Sequence, residues 1–363
     1  MYKINFEQPV HVHFIGIGGI SMSGLAEVLL EEHFTISGSD NKRSPLTEQL
    51  EKAGVTIFYG QKASNIIEGI DVVVYTAAIH ADNEEYQAAV QKGLPMLSRA
   101  ELLGQLMTNY DTPIAVSGTH GKTTTTSMLS HILLSAEMDP TISVGGILKA
   151  IGGNIRVGNS EIFLTEACEY TNSFLHFLPK IGVILNIDED HLDFFKDLAD
   201  IRHSFRKFAE LLPADGTLVI NGEIPELHEI TDGLACRVVT YGPDSSYDYS
   251  ATNILHDQIG EASFDFVKNG EFVTRIALSV NGDHNVSNAL AALAVADILK
   301  IDPKTAGQGL KDFHGTNRRF EYKGEFDGVT VIDDYAHHPT EITASLTAAK
   351  HYPHREIWCI FQP

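Results

Sequence analysis

A glycine-rich stretch at residues 118–124 has the residue types of a phosphate-binding loop. It reads Gly-Thr-His-Gly-Lys-Thr-Thr, follows an apolar run at residues 114–116 and precedes an amphipathic helical pattern. In such a loop, backbone N–H groups and the positive end of the helix dipole bind phosphate oxygens. Lys122 would reach the β and γ phosphates, and the Thr123 hydroxyl would ligate Mg²⁺. These residues, the lysine loop, therefore predict binding of ATP with Mg²⁺.

The lysine loop is shorter than the general Walker pattern, because only two residues separate its glycines. The apolar strand before it and the helix after it are the context that the motif requires. The alternative interpretation is a glycine turn between a strand and a helix, with an incidental lysine.

Carboxylates follow two further apolar runs of the same region. Residues 162–164 lead to Glu166, and residues 181–185 lead to an acidic segment that contains His191. Acids at the carboxyl end of a buried parallel strand, beside a phosphate loop, are positions of Mg²⁺ ligands. We expect Glu166 and Thr123 to share one ion and His191 to lie near it. For His191, the alternative is a solvated helix start.

A second glycine-rich stretch, the N-terminal glycine loop at residues 16–21, follows a strand-like run at residues 10–15. It reads Gly-Ile-Gly-Gly-Ile-Ser, so that Ser21 replaces the third glycine of the dinucleotide fingerprint. Asp40 ends the next strand, 22 residues after Gly18, where a ribose-binding acid is expected. The pattern predicts a nucleotide-binding βαβ unit, and a purely structural turn is the alternative.

Strand-like and helical segments alternate along most of the chain, which is typical of an α/β fold with parallel sheets. The chain of 363 residues has room for two to three domains. A polar, proline-ended segment at residues 108–113 marks the first boundary. Asn269-Gly270 predicts a β-hairpin. Strands are also predicted at residues 329–334 and 356–361.

The charge balance limits the class of partner. Lys plus Arg is 26 and Asp plus Glu is 48, which gives a net charge of −22. Such an excess of acid argues against nucleic acid and anionic membranes as partners, and no apolar run has the length of a membrane span. Three widely spaced cysteines form no disulfide framework, so we expect a reducing, cytoplasmic environment. Anionic ligands must then be bound by local groups.

These motifs, in this order, resemble those of the Mur ligases, the amino-acid-adding enzymes of bacterial peptidoglycan synthesis. The resemblance extends over the whole chain. It is carried by residues 16–23, 118–124, 166–170, 186–191, 284–288, 318–320 and 333–341. The last segment, with paired histidines before Pro-Thr-Glu, points to the branch that acts on UDP-N-acetylmuramate itself.

The resemblance implies three domains and a two-step ligation. Residues 1–109 would be a Rossmann-like UDP-sugar-binding domain. Residues 110–316 would be a P-loop ATPase domain with a small β subregion, and residues 317–363 the start of a Rossmann-like third domain. The lactyl carboxylate of UDP-N-acetylmuramate would attack the γ phosphate of ATP, and the amine of L-alanine would displace phosphate from the acyl phosphate. We further expect a monomer or weak homodimer.

Site residues follow from the resemblance, position by position. Lys122, Glu166 and His191 would be catalytic, and Thr123, Glu166 and His191 would hold Mg²⁺, with His191 at a second ion. The UDP-sugar would contact Gly16, Ile17, Gly18, Gly19, Ile20, Ser21 and Asp40. ATP would contact Gly118, Thr119, His120, Gly121, Lys122, Thr123, Thr124, His284, Asn285, Arg318, Arg319, Asp334 and His337. A carbamylated lysine occurs in several members of the family, and Lys207 is the nearest candidate.

The family's pattern continues beyond residue 363 with most of the third domain. We therefore expect this chain to bind UDP-N-acetylmuramate without ligating alanine by itself. Three alternatives stay open at this point. They are a recycling ligase that attaches a whole tripeptide to the same sugar nucleotide, an NAD(P) oxidoreductase built on the N-terminal glycine loop, and a binding module without catalysis.

Overall fold

The structure is a computed structural model and describes residues 2–76 and 78–362. It contains three successive β-sheets with helices packed against them, which confirms the predicted α/β class. No helix in the described ranges is long and apolar enough to cross a membrane.

The first sheet has five parallel strands in the order β3-β2-β1-β4-β5, which is the arrangement of a nucleotide-binding α/β unit. Its central strands are buried on both faces, as parallel strands covered by helices must be. The strands are β1 (His11–Ile15), β2 (Thr35–Asp40), β3 (Thr56–Tyr59), β4 (Val72–Tyr75) and β5 (Met96–Ser98). The helices are α1 (Ile20–Glu31), α2 (Pro45–Lys52), α3 (Glu84–Gln91) and α4 (Arg99–Met107).

The second sheet has ten strands in the order β15-β14-β13-β12-β11-β10-β6-β9-β7-β8, with a parallel centre and antiparallel pairs at both ends. Its strands are β6 (Thr112–Ser117), β7 (Thr141–Leu148), β8 (Gly153–Arg156), β9 (Ile162–Ala167), β10 (Ile181–Ile184), β11 (Thr217–Asn221), β12 (Arg237–Gly242), β13 (Tyr249–His256), β14 (Glu261–Lys268) and β15 (Glu271–Asn281). The helices are α5 (Lys122–Ser135), α6 (Leu198–Glu210), α7 (His228–Thr231), α8 (Asp283–Ile298) and α9 (Pro303–Asp312). The predicted hairpin is confirmed, with positive φ angles at Asn269 and Gly270.

Helix α8 lies in the core of the second unit. Eleven of its sixteen residues are buried, and most of these are alanine, leucine or valine. An alanine-rich helix allows close approach, and α8 contacts α5, α9 and the strands β11 to β15. This packing fixes the start of α8, where His284 and Asn285 lie, relative to the lysine loop at the start of α5.

The third unit contains one antiparallel pair, β16 (Glu321–Phe326) and β17 (Val329–Asp333), followed by α10 (Pro339–His351). Strand β17 was predicted, whereas β16 was not. The predicted strand at residues 356–361 is wrong, because that segment is irregular and its side chains are exposed, Ile360 at 99%. Its sequence is apolar and β-type, but a strand also needs a neighbouring strand to accept its hydrogen bonds.

The first and second units pack closely through glycines. A Cβ atom on Gly104, in α4, would lie 1.9 Å from the carbonyl oxygen of His176. A Cβ on Gly24, in α1, would lie 2.8 Å from Ile155 Cδ1. The side chain of Asn154, in β8, donates to the carbonyl oxygen of Ile20 at 3.2 Å. The N-terminal glycine loop therefore borders the second unit directly.

A buried hydrogen-bond network supports the N-terminal glycine loop. Glu85, on α3, is fully buried and contacts His13 Nε2 at 2.7 Å, while its second oxygen accepts from Ser39 Oγ at 2.7 Å. The carbonyl oxygen of Ser39 accepts the N–H groups of Gly16 at 2.8 Å and Ile17 at 2.9 Å. The network thus connects α3 with the turn after β1.

We expect Glu85→Ala to lower the free energy of unfolding of the first unit by about 2–5 kcal/mol, because it leaves two buried polar partners without a hydrogen bond. Glu84→Ala is the matched control on the same helix. Glu84 is exposed and contributes at most about 1 kcal/mol through the helix dipole. Urea unfolding of both variants measures the difference, and equal losses would contradict the structural role of the network.

Candidate functional site

The lysine loop joins β6 to α5 in a conformation that requires its two glycines. Gly118 has φ +143° and Gly121 has φ +84°, angles that L-residues rarely adopt. The space is also limited, because a Cβ atom on Gly121 would lie 2.6 Å from the Asn288 side-chain oxygen. A glycine at each position therefore allows the backbone to turn tightly into the N-terminus of α5, the geometry of an anion-binding loop.

The ammonium group of Lys122 lies over this turn and is fully hydrogen-bonded. It donates to the carbonyl oxygens of Gly118 at 2.6 Å and Thr119 at 3.1 Å, and it forms an ion pair of 2.8 Å with Glu169 Oε2. Glu169 is 2% exposed, so this ion pair is largely shielded from water. The positive charge of Lys122 is thus fixed at the mouth of the loop.

Thr123 and Glu166 are in contact, as the sequence predicts. Thr123 Oγ1 donates to Glu166 Oε2 at 3.1 Å, and the N–H of Gly145 donates to Glu166 Oε1 at 2.6 Å. Desolvation raises the pKa of Glu166, and these two hydrogen bonds, with the charges of Lys122 and Arg319, oppose the rise only in part. A divalent cation beside this carboxylate would stabilise its ionised form.

His191 lies beside the same group of acids. Its Nε2 is 4.0 Å from Glu169 Oε1, a buried oxygen that has no hydrogen-bond partner within the described residues. The His191 backbone has φ +53°, and its ring stacks on Tyr170 with 4.4 Å between centroids. An unpaired buried carboxylate oxygen facing an imidazole is an arrangement that fits a bound cation. With Thr123 and Glu166 the donors are mainly oxygens, as Mg²⁺ prefers.

The segment after β10 fastens the lysine loop. Asn186 exchanges two hydrogen bonds with the backbone of His120, at 2.8 and 2.9 Å. Thr119 Oγ1 accepts the N–H of Asp188 at 2.9 Å. These three hydrogen bonds hold the backbone of the loop against the segment after β10.

A cavity of about 490 Å³ opens beside the lysine loop, between the second and third units. This volume is within the usual range for small-molecule sites. Seven predicted ATP-binding residues line it, namely His120, Gly121, Thr124, His284, Asn285, Arg319 and Asp334. The cavity thus joins residues that are more than 200 positions apart in the sequence.

The two adjacent arginines differ in placement. Arg319 lines the cavity, and its guanidinium is 3.6 Å from Glu341 Oε1. Arg318 lies over the Tyr335 ring at 4.8 Å and is 61% exposed. Of the pair, Arg319 is therefore the residue that faces the cavity.

Three of the predicted ATP-binding side chains, those of Asn285, Asp334 and His337, have hydrogen-bond partners within the protein. Asn285 donates to the carbonyl oxygen of Asn281 at 2.7 Å, and Asp334 accepts from three groups of the third unit. His337 is 58% exposed and its ring contacts the Tyr335 carbonyl oxygen. His284 lies at the cavity wall, where desolvation lowers its pKa while the charge of Asp334 opposes the change.

In the N-terminal glycine loop, Asp40 lies next to the turn. Its Oδ2 accepts the N–H of Gly18 at 2.9 Å, and a Cβ atom on Gly18 would lie 2.7 Å from that oxygen. Gly16 and Ile17 donate to Ser39, whereas Ile20 and Ser21 begin α1 without a side-chain cap at Gly19. Helix α1 therefore begins directly after this turn, without a side-chain cap.

Lys207, the candidate for carbamylation, lies in the last turn of α6 and is exposed. Among residues 2–76 and 78–362, no hydrogen bond or ion pair links it to the lysine loop.

Several site residues were missed by the sequence analysis. Glu169 lies in the motif at residues 166–170, but the sequence analysis gives it no role. An acid three residues beyond Glu166, past the end of the strand, is a signal that could have identified it as a site residue. Asn186, a polar residue two positions after the end of β10, is a similar signal of a residue at the carboxyl edge of the sheet. Glu341 and His338 lie in a helix start, and nothing in the local pattern distinguishes them from caps.

Comparison with known proteins gives three family matches in chain order. They are "Mur ligase family, catalytic domain" at residues 11–111, "Mur ligase middle domain" at residues 116–296, and "Mur ligase, glutamate ligase domain" at residues 318–363. A curated relative, the UDP-N-acetylmuramate–L-alanine ligase of Agathobacter rectalis, is 60% identical over 363 residues, which are 100% of this chain and 79% of the relative.

Two solved structures are also similar. The UDP-N-acetylmuramate-alanine ligase of Thermotoga maritima has a TM-score of 0.79 and 32% identity, covering 94% of this chain and 78% of that one. The UDP-N-acetylmuramate:L-alanyl-gamma-D-glutamyl-meso-diaminopimelate ligase of Neisseria meningitides has a TM-score of 0.77 and 32% identity. The match covers 86% of this chain and 100% of that one. These matches agree with the three-unit architecture and with the resemblance read from the motifs. The chain belongs to the Mur ligase family.

Proposed function

We propose that this protein is an ATP-dependent ligase that joins the lactyl carboxylate of UDP-N-acetylmuramate to L-alanine in peptidoglycan synthesis. The observation that carries the proposal is the position of Lys122, fixed over the lysine loop and next to the Thr123–Glu166 pair, in a loop whose residues Gly121 and Thr124 line the 490 Å³ cavity. The name and 60% identity of the Agathobacter rectalis relative support the choice of substrates.

The proposed reaction has two balanced steps. A lactyl carboxylate oxygen attacks the γ phosphorus of ATP, ADP leaves, and an acyl phosphate forms. The amine of L-alanine then attacks the acyl carbon, phosphate leaves, and the amine loses a proton as the amide forms. Lys122 and the loop N–H groups hold the β and γ phosphates, and Arg319 faces the same cavity. Catalysis is mainly positioning and neutralisation of charge.

Thr123, Glu166, Glu169 and His191 are the residues proposed to hold Mg²⁺. The ion supplies neutralisation of the developing phosphate charge when bound. Glu166 and Thr123 already touch each other, and the unpaired oxygen of Glu169 faces His191 at 4.0 Å. His284 and Asn285 are proposed to border the adenine.

The N-terminal glycine loop is proposed to bind the diphosphate of the UDP-sugar at the start of α1. Ile20 and Ser21 at the start of α1 would supply N–H groups, while the N–H of Gly18 is bound to Asp40 beside the turn. We place the unit boundaries after residues 109 and 316. Since ATP and the UDP-sugar are cytoplasmic metabolites, we propose a cytoplasmic protein that acts without nucleic acid or membrane partners, as a monomer or weak homodimer.

The second candidate is a ligase that adds a preformed tripeptide to the same sugar nucleotide. The similarity to the Neisseria meningitides enzyme, at 32% identity, favours its consideration. The tripeptide ligase is the second candidate because the identity to the alanine-adding relative, 60%, is higher. An oxidoreductase does not require the charged loop at Lys122.

One experiment that combines binding and product analysis decides among these candidates. The protein is titrated calorimetrically with UDP-N-acetylmuramate and ATP–Mg²⁺, and phosphate release and product mass are followed with L-alanine or with the tripeptide. We expect this chain to bind both nucleotides, and a chain of the full length of the Agathobacter rectalis relative to give a product that contains alanine. A tripeptide product would select the second candidate, and absence of ATP binding would contradict the ligase proposal.

We expect Lys122→Ala to lower ATP-dependent ligation at least ~100-fold, because it removes a preorganised charge at the transferred phosphate. Lys180→Ala is the control, since Lys180 is an exposed lysine of the same unit, paired with Asp215. Calorimetry with ATP–Mg²⁺ checks the loss independently of turnover. Equal behaviour of the two variants would refute the role of Lys122.

Magnesium binding should depend on pH through Glu166. Because desolvation raises the pKa of Glu166 in the ion-free protein, its carboxylate takes up a proton as the pH falls, and Mg²⁺ affinity falls with it. Glu166→Gln should remove both the ion's stabilising effect and this pH dependence. The ion-free variant should be no less stable than the wild type at neutral pH, where the buried charge is unfavourable. Thermal unfolding with and without Mg²⁺ and ATP, from pH 5 to 8, gives the test.

UDP-N-acetylmuramate at 100 times its Kd should stabilise the first unit by about 2.7 kcal/mol, whereas NADPH should not. Gly18→Ala should weaken this effect, because the added methyl group meets Asp40. Gly153→Ala is the matched control, with no atom closer than 3.9 Å to its new Cβ. Stabilisation by NADPH alone would favour the oxidoreductase.

A further inference from the structure

Three potential metal ligands meet where the lysine loop contacts the third unit. They are His120 of the lysine loop, Asp188 of the segment after β10, and His338 at the N-cap of α10. One ligand atom from each lies within 4.8 Å of the others. His120 Nε2 is 3.5 Å from Asp188 Oδ2, and His338 Nδ1 is 3.9 Å from the same oxygen.

The hydrogen bond at the far side of His120 sets its tautomer. His120 Nδ1 is 3.2 Å from Glu341 Oε1, and the carboxylate can only accept. The proton of a neutral His120 therefore lies on Nδ1. Its Nε2 is buried and has no hydrogen-bond partner among residues 2–76 and 78–362.

His338 is oriented in the same way. Its Nε2 is 2.9 Å from the carbonyl oxygen of Glu189, which also can only accept, so the ring proton lies on Nε2. His338 Nδ1 accepts the N–H of Thr340 at 3.3 Å as the N-cap of α10 and lies 3.9 Å from Asp188 Oδ2, so an ion bound at Nδ1 would replace that N–H. His120 thus presents an unpartnered nitrogen beside Asp188, and His338 presents one that can exchange its N-cap hydrogen bond for an ion, while an acceptor behind each ring fixes its position. This is the usual arrangement of metal-ligating histidines.

We propose that His120, Asp188 and His338 form a binding site for a divalent transition-metal ion, of which Zn²⁺ is the best match. Two imidazole nitrogens and one carboxylate oxygen suit Zn²⁺ and leave a fourth position for water, whereas Mg²⁺ prefers oxygens. Tetrahedral Zn²⁺ separates such ligand atoms by about 3.4 Å. Two of the separations are already 3.5 and 3.9 Å, so small side-chain shifts complete the site.

The ion would connect two units of the protein. His120 and Asp188 belong to the second unit, and His338 begins the helix of the third. Occupancy would therefore stabilise the contact between α10 and the lysine loop. This site shares no residue with the proposed Mg²⁺ ligands, so the two sites can be distinguished by mutation.

The competing arrangement is a protonated His120 that bridges Glu341 and Asp188 as an ion pair. It would need no metal. The two arrangements differ in one measurable property, the affinity for Zn²⁺ near neutral pH.

The test is Zn²⁺ binding to the protein, in excess Mg²⁺ to occupy oxygen-rich sites, measured by calorimetry and by metal analysis after dialysis. We expect one Zn²⁺ site in the wild type that weakens at least ~10–100-fold in His338→Ala and in Asp188→Asn. His228→Ala, which removes an exposed histidine of α7, is the matched control and should bind as the wild type does.

Asp188→Asn keeps an oxygen that accepts from Thr340, so it guards against a general loss of structure. Circular dichroism checks the fold of each variant. Zn²⁺ should also protect residues 338–351 from proteolysis in the wild type and not in the variants. Absence of Zn²⁺ binding to the wild type, or unchanged affinity and stoichiometry in both folded variants, would overturn the proposal.

Discussion

The site depends on the parallel register of three adjacent strands. Strand β6 pairs with β10 on one side and β9 on the other, so that Ser117 lies level with Ile184 and Ala167. All three strands end at this level, and the segments that follow them leave the sheet together. The lysine loop, the Glu166–Glu169 segment and the Asn186–His191 segment are therefore neighbours in space because of backbone hydrogen bonds, before any side chain contributes.

This register explains what the sequence could predict. Apolar runs that end in glycine or acid identify strands and their carboxyl edge, so the placement of Thr123, Glu166 and His191 near Lys122 followed from fold rules. The direction in which individual side chains point could not be predicted from the sequence in this way. Arg318 and Arg319 are adjacent in sequence, but only Arg319 lines the cavity. In the same way, His338 and not its neighbour His337 contacts the carbonyl oxygen of Glu189 in the second unit.

The third unit was predicted less well for a related reason. Strand β16 is polar and contains Gly324, so its pairing with β17 leaves no periodic signal in the sequence. Residues 356–361 have the opposite character, since they are apolar and β-type but lie exposed. Strand propensity describes how a residue fits a pleated surface, and it cannot supply the partner strand that a sheet requires.

The net charge of −22 makes local organisation of positive groups essential. Lys122 is held by two carbonyl oxygens and Glu169, and Asn186 fixes the backbone beneath it. A phosphate arriving at the loop competes with Glu169 for an ammonium already in position, so little side-chain entropy remains to be lost. His120 extends this rigidity outward, because its backbone is held by Asn186 and its ring contacts Glu341 of α10. Through this contact, α10 of the third unit touches the loop that holds Lys122.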